Sequence, residues 1–92
     1  SAEQAADWGL IWQVVDDEAL CQTATDLARQ LATQPTRGLA LIKQALNDST
    51  GNDLDTQLDL ERDLQRQAGR SKDYREGVSA FMEKRAPRFT GE

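Results

Sequence analysis

Phe81 and Lys84 lie three residues apart in the run Asp73-Tyr-Arg-Glu-Gly-Val-Ser-Ala-Phe-Met-Glu-Lys-Arg-Ala-Pro-Arg-Phe89. On a helix that spacing puts both on one side, an aromatic ring next to an ammonium. The pair suits a planar ring or a slender apolar chain lying beside a phosphate, with the ammonium as a compact point charge. Periodicity alone favours a plainer account, in which Phe81 is a core residue and Lys84 a solvated charge. Arg85 and Arg88 could supplement a phosphate contact, and surface charge explains them equally well.

Little else in the chain is equipped for chemistry. Histidine is absent, which removes imidazole from every mechanism, and the single Cys21 cannot form an internal disulfide. Zinc sites and Ser-His or Cys-His nucleophile systems therefore have no residues to work with. Asp16, Asp17, Glu18 and Asp53 stand at helix starts, where capping and dipole interactions account for them, and Asp59 with Asp63 falls on a solvated helix face. No catalytic residue and no metal ligand is expected among residues 1–92. Cys21 lies at the edge of an apolar arc and reads as a small buried hydrophobe.

The elements that would position Phe81 and Lys84 are helices. Ser1 and Gln4 make a capping box for a short first helix that Gly9 should stop. Leu10-Ile-Trp-Gln-Val-Val15 reads as a brief extended segment, too isolated to build a sheet. Asp16-Asp-Glu18 supplies a cap and first-turn charge for a second helix, whose apolar face is Leu20, Ala24, Leu27, Ala28 and Leu31. Pro35 ends it and opens the next, within whose first turn proline is tolerated. That helix carries Leu39, Ile42, Ala45 and Leu46.

Asn47-Asp-Ser-Thr-Gly-Asn-Asp53 is a polar loop, with Asp53 placed to cap a helix bearing Leu54, Leu58, Leu60, Leu64 and Ala68. These spread over roughly 160° of the helix, wider than the ~100° one neighbour covers, so the helix should touch two surfaces. Gly69 ends it, Ser71 caps the last helix, and Tyr74, Val78, Phe81 and Met82 share a face until Pro87. The fold class is all-α, with four to five helices in one domain, residues 1–92.

Composition agrees. The chain has 92 residues, 38% of them hydrophobic and 29% charged, and five aromatics, so its core is left to Leu, Ala and Val. A domain of this size buries only roughly 60 to 65% of its unfolded surface, which leaves folding marginal. No apolar run approaches the ~20 residues of a membrane span and the start lacks a signal-peptide pattern, so a soluble cytoplasmic protein is expected, with no membrane partner. Residues 1–61 hold eleven acids against three bases, and residues 62–92 five acids against eight bases, within a net charge of −5. An acidic, mixed surface argues against nucleic acid as a partner, while the basic C-terminal third suits a local anion.

The final run resembles the C-terminal helix of the enoyl-CoA hydratase/isomerase (crotonase) superfamily, which closes with Glu-Gly-x-x-Ala-Phe-x-Glu-Lys-Arg-x-Pro-x-Phe; here these are Glu76, Gly77, Ala80, Phe81, Glu83, Lys84, Arg85, Pro87 and Phe89. Ser1 to Val15 is similar to the segment that follows that family's catalytic core, and Leu31 to Leu46 to its helix pair around a proline. The resemblance implies the C-terminal helical region of a crotonase-like fold, without its β/α spiral core, and hence a fragment of a longer enzyme acting on acyl-CoA substrates. It implies coenzyme A contacts at Phe81 and Lys84, with an adenine or pantetheine chain beside a phosphate, and CoA as substrate carrier with no covalently bound cofactor, metal or redox group. It also implies a homo-oligomer, a trimer or dimer of trimers.

In that family two backbone N–H groups polarise the thioester carbonyl on the spiral. Such an oxyanion hole is often the largest catalytic contribution, so residues 1–92 alone should be inactive. Trp8, Ile11 and Trp12 would pack on the spiral or line the acyl pocket, and in isolation should drive self-association. The rival reading is a free-standing helical module that binds a protein partner through Trp8 to Val15.

Overall fold

Capping residues set the helix boundaries. A computed structural model describes Ser1–Glu92 and contains α1 (Ala2–Asp7), α2 (Asp17–Ala32), α3 (Thr36–Ser49), α4 (Leu54–Ala68) and α5 (Lys72–Glu83). There is no strand, in keeping with the all-α expectation. At the first cap the Gln4 N–H donates to Ser1 Oγ at 3.2 Å, and the Ser1 backbone nitrogen donates to Gln4 Oε1 at 2.9 Å. Gly9, at φ 72°, closes α1: its N–H reaches the Ala6 carbonyl at 2.9 Å and the Leu10 N–H reaches Ala5 at 2.8 Å. This paired closure needs a residue in the left-handed region, which glycine adopts freely.

Two other starts follow the sequence. Asp53 Oδ1 accepts the Thr56 N–H at 2.8 Å, and the Ser71 hydroxyl accepts the Tyr74 N–H at 3.0 Å while donating to the Ala68 carbonyl at 2.7 Å. One hydroxyl thus joins the end of α4 to the start of α5. Three expectations are corrected. Asp16 occupies the cap position of α2, but its side chain makes no capping hydrogen bond, so the acidic start works through Asp17 and Glu18 in the first turn. Pro35 sits at the cap of α3 rather than within its first turn. The polar loop is shorter than Asn47–Asp53, because α3 continues to Ser49.

α3 and α4 form the one substantial helix–helix packing. Leu41 and Ala45 face Leu64 and Ala68, and Leu64 is the only large apolar side chain in the chain that is buried, at 6% exposure. The Gln57 amide ties the pair, donating to the Ala45 carbonyl at 3.2 Å and to Glu61 at 2.8 Å, and accepting from Asn52 at 2.9 Å. The wide apolar arc of α4 is half used. Leu60 and Leu64 turn inward, whereas Leu54 and Leu58 stay exposed, leaving the expected second surface without a partner in this chain.

The remaining apolar faces are similarly open. Leu20 and Leu31 on α2 are exposed, as are Trp8, Leu10 and Trp12 in the turn and irregular segment after α1. Cys21 is exposed, against the expectation of a buried residue, because no helix packs closely on α2. The radius of gyration is 17.0 Å, against about 12 Å for a compact domain of this length. Likewise the accessible surface is 7551 Å2, where a compact chain of this mass exposes about 5,300 Å2. The molecule is a slab measuring 42 × 39 × 19 Å, with a thin core between α3 and α4. No helix is long and apolar enough to cross a membrane.

Candidate functional site

α5 and the tail that folds back along it carry the chain's main cluster of polar contacts between residues distant in sequence. Asp73, in the first turn of α5, is 3% exposed. Its Oδ1 accepts the Thr90 N–H at 2.7 Å and its Oδ2 the Gly91 N–H at 2.8 Å, while its own N–H donates to the Glu92 carbonyl at 3.0 Å. Lys72 pairs with the Glu92 carboxylate alongside. One turn on, Glu76 receives both Arg85 guanidinium nitrogens, at 2.6 and 3.0 Å, and the Arg88 backbone N–H at 2.8 Å. Arg85 Nε also donates to Glu83 at 2.7 Å. Between these two grips the Phe89 ring lies over Gly77.

The tail then reaches the start of α3. Gly91 stands at φ 81°, and a Cβ there would fall 2.5 Å from Thr36 Oγ1, so only glycine fits without displacement. The electrostatics follow from the contacts. The Arg85 guanidinium, helped by the Arg88 N–H, holds the Glu76 carboxyl down at about 2, and the same pairing raises the Arg85 pKa.

α5 ends three residues earlier than a stop at Pro87 implies. The break is Lys84, at φ 56° and ψ 39°, the only residue other than glycine with positive φ. The Lys84 N–H donates to Phe81 at 3.3 Å and the Arg85 N–H to Ala80 at 3.0 Å, closing the helix by the same paired motif that closes α1. For a residue with a Cβ this conformation costs about 1 to 2 kcal/mol. The Arg85 clamp on Glu76 and Glu83 lies immediately beyond and offsets that cost.

Phe81 is 82% exposed, which overturns the core reading for this residue. The expected shared face of Tyr74, Val78, Phe81 and Met82 does exist, and all four side chains are open to solvent. What α5 buries is the opposite pattern, Asp73 and Ala80, with Gly77 half-buried beneath Phe89. Phe81, Tyr74 and Val78 line an apolar groove of about 400 Å3, whose other side is Pro35, Gly38 and Phe89. Lys84 lies outside that lining. It follows Phe81 through a left-handed turn, so the expected regular helical neighbourhood of the two is replaced by a bent one.

The arginines differ from the expectation too. Arg85 is engaged by two carboxylates, so its charge is taken up within the chain, while Lys84 takes part in no ion pair. Arg88 contributes its backbone N–H to Glu76. Chemically the arrangement offers an open aromatic and a free ammonium on a rigidly terminated helix. It offers no nucleophile beside a base.

An enoyl-CoA hydratase/isomerase family model matches residues 1–92. The chain belongs to that family. It is 74% identical over 91 residues to the 1,2-epoxyphenylacetyl-CoA isomerase of Escherichia coli K12, covering 99% of this chain and 35% of the relative. It is 46% identical over 90 residues to a probable enoyl-CoA hydratase of Rhodobacter capsulatus, covering 98% of this chain and 35% of the relative. A crystal structure of an enoyl-CoA hydratase subunit I from Geobacillus kaustophilus superposes with a TM-score of 0.93 at 38% identity, over 100% of this chain and 36% of that one. The chain therefore spans about a third of the length of the relatives it matches.

The fold gives the closing motif a physical meaning that its spacing does not disclose. Glu76 and Arg85 are the two halves of an ion pair, and Gly77 lies beneath the Phe89 ring. Asp73 was missed altogether. Its signal was weak: an acid in a helix's first turn ordinarily needs no partner beyond the helix dipole.

Proposed function

We propose that residues 1–92 form the C-terminal helical region of a CoA-dependent enzyme, and that this enzyme isomerises ring-1,2-epoxyphenylacetyl-CoA in phenylacetate catabolism. The observation that carries the substrate is the identity of 74% to the Escherichia coli isomerase, well above the 46% to a probable hydratase. Leu54 to Arg70 and Trp8 are the segments in which the sequence itself leans the same way. The reaction is a rearrangement of an acyl-CoA thioester, with the reacting groups supplied outside these residues. The enzyme works in the cytoplasm.

Within it the region has three roles: assembling a homo-oligomer, a trimer or dimer of trimers; covering the active site; and holding CoA through Phe81 and Lys84. Supporting the first two is total accessible surface about 2,200 Å2 above that of a compact chain of this mass, together with the exposed Trp8, Leu10, Trp12 and Leu54. Supporting the third is the exposure of Phe81 and the unpaired ammonium of Lys84. An aromatic face offers stacking area for adenine, and an ammonium is a point charge for phosphate.

The substitution Lys84→Glu in the full-length protein tests this. KM for the acyl-CoA substrate should rise roughly five- to tenfold, the scale of one exposed charge contact reversed in sign, with kcat changed by less than about twofold. A KM equal to that of the wild type would remove Lys84 from the site.

A further inference from the structure

Lys84 is held by a turn rather than by the helix. A lysine gains nothing by itself from the left-handed region, and neither glycine nor asparagine, the residues that adopt it readily, stands there. The chain beyond the turn is fastened at two points on Glu76: the forked Arg85 guanidinium and the Arg88 N–H. Arg85 and Glu76 are the least exposed partners among the ion pairs, with side-chain exposures of 38% and 25%. Arg85 spends its charge on Glu76 and Glu83, and Lys84 is left as the unpaired cation of the turn.

From this geometry we infer that Glu76 and Arg85 are positioning residues, which lock the left-handed turn and so hold the Lys84 ammonium ready for a phosphate of the acyl-CoA. The inference rests on the reading of Lys84 as a CoA contact. A backbone held in place before binding loses less freedom when the phosphate arrives, and the forked pair fixes the direction in which the Lys84 side chain leaves the turn. Without the clamp, Lys84 relaxes toward ordinary helical or extended backbone. Its charge remains, and its placement does not.

The test is a double-mutant cycle in the full-length protein, comparing wild type, Glu76→Gln, Lys84→Ala and the pair. KM is measured for an acyl-CoA and for the matching acyl-pantetheine, which lacks the phosphates. Glu76→Gln should raise KM for the acyl-CoA roughly three- to tenfold, the scale of coupling within one ion-pair network. It should leave kcat and the KM for acyl-pantetheine in place, and add nothing in the Lys84→Ala background. Arg85→Lys, which keeps the charge but loses the fork, should give a smaller shift of the same kind and serves if Glu76→Gln does not fold. A KM shift that is equal with and without Lys84, or one absent from both clamp variants while Lys84→Ala raises KM, overturns the positioning role and leaves Lys84 in the site. An unchanged KM in Lys84→Ala overturns both.

Discussion

Leu64→Ala removes about half of the stability of the isolated 92-residue chain and lowers its urea midpoint accordingly. Leu64 is 6% exposed and is the one large apolar side chain that α3 and α4 enclose. Truncating a buried leucine costs about 2 to 5 kcal/mol, and the groove beside Leu64 lets the site partly relax, which puts the cost at about 2 to 3 kcal/mol. A compact domain of this length has a total stability of about 5 to 14 kcal/mol, and this slab, with so little enclosed, sits at or under the lower end. The loss is therefore a large share of the whole. Urea unfolding followed by helical circular dichroism measures it, with Leu58→Ala as the comparison, since Leu58 is 55% exposed. Equal midpoints for the two variants would show that the α3–α4 seam is not the core.

The second large effect is release of the tail by Asp73→Ala. Asp73 accepts the N–H groups of Thr90 and Gly91, and hydrogen bonds to a charged acceptor contribute about 1.5 to 3 kcal/mol each. Amide exchange at Thr90 and Gly91 should accelerate roughly ten- to hundredfold, while the Arg88 amide keeps its protection through Glu76. Acid opens the other grip. The Glu76 carboxyl is depressed from 4.5 to about 2 in the folded chain, so its contribution is complete above its unfolded pKa and is lost as pH falls through the folded one. Between about pH 4.5 and 2 the Arg88 amide should lose protection progressively. Unchanged exchange at Thr90 and Gly91 in Asp73→Ala would mean that the tail is held by other contacts.

Helices, caps and most boundaries were legible because each rests on residues near in sequence. Ser1 with Gln4, Gly9, Asp53 and Ser71 act as their types predict. What escaped are relations across distance or against type. Asp16 has the identity of a cap without the contact, and Lys84 takes a conformation that sequence assigns to glycine. Cys21 and Phe81 have the spacing of buried residues, and periodicity reports which face is apolar without saying whether this chain covers it.

The same holds for the site. Phe81 and Lys84 could be singled out by their types, spacing and resemblance to a family. Their support could not, because Asp73 grips residues 17 and 18 positions away and Arg85 meets a glutamate nine positions back. Pro87 between them favours an extended return of the chain. The partner of each carboxylate needed the fold.

If these residues are part of a longer CoA enzyme, the intact mass of the protein as its source cell makes it will show it. The expected mass is close to three times the 10.2 kDa of these 92 residues, which span 35% of the relatives they match. A native mass of 10.2 kDa would contradict it and make a free-standing helical module the better description.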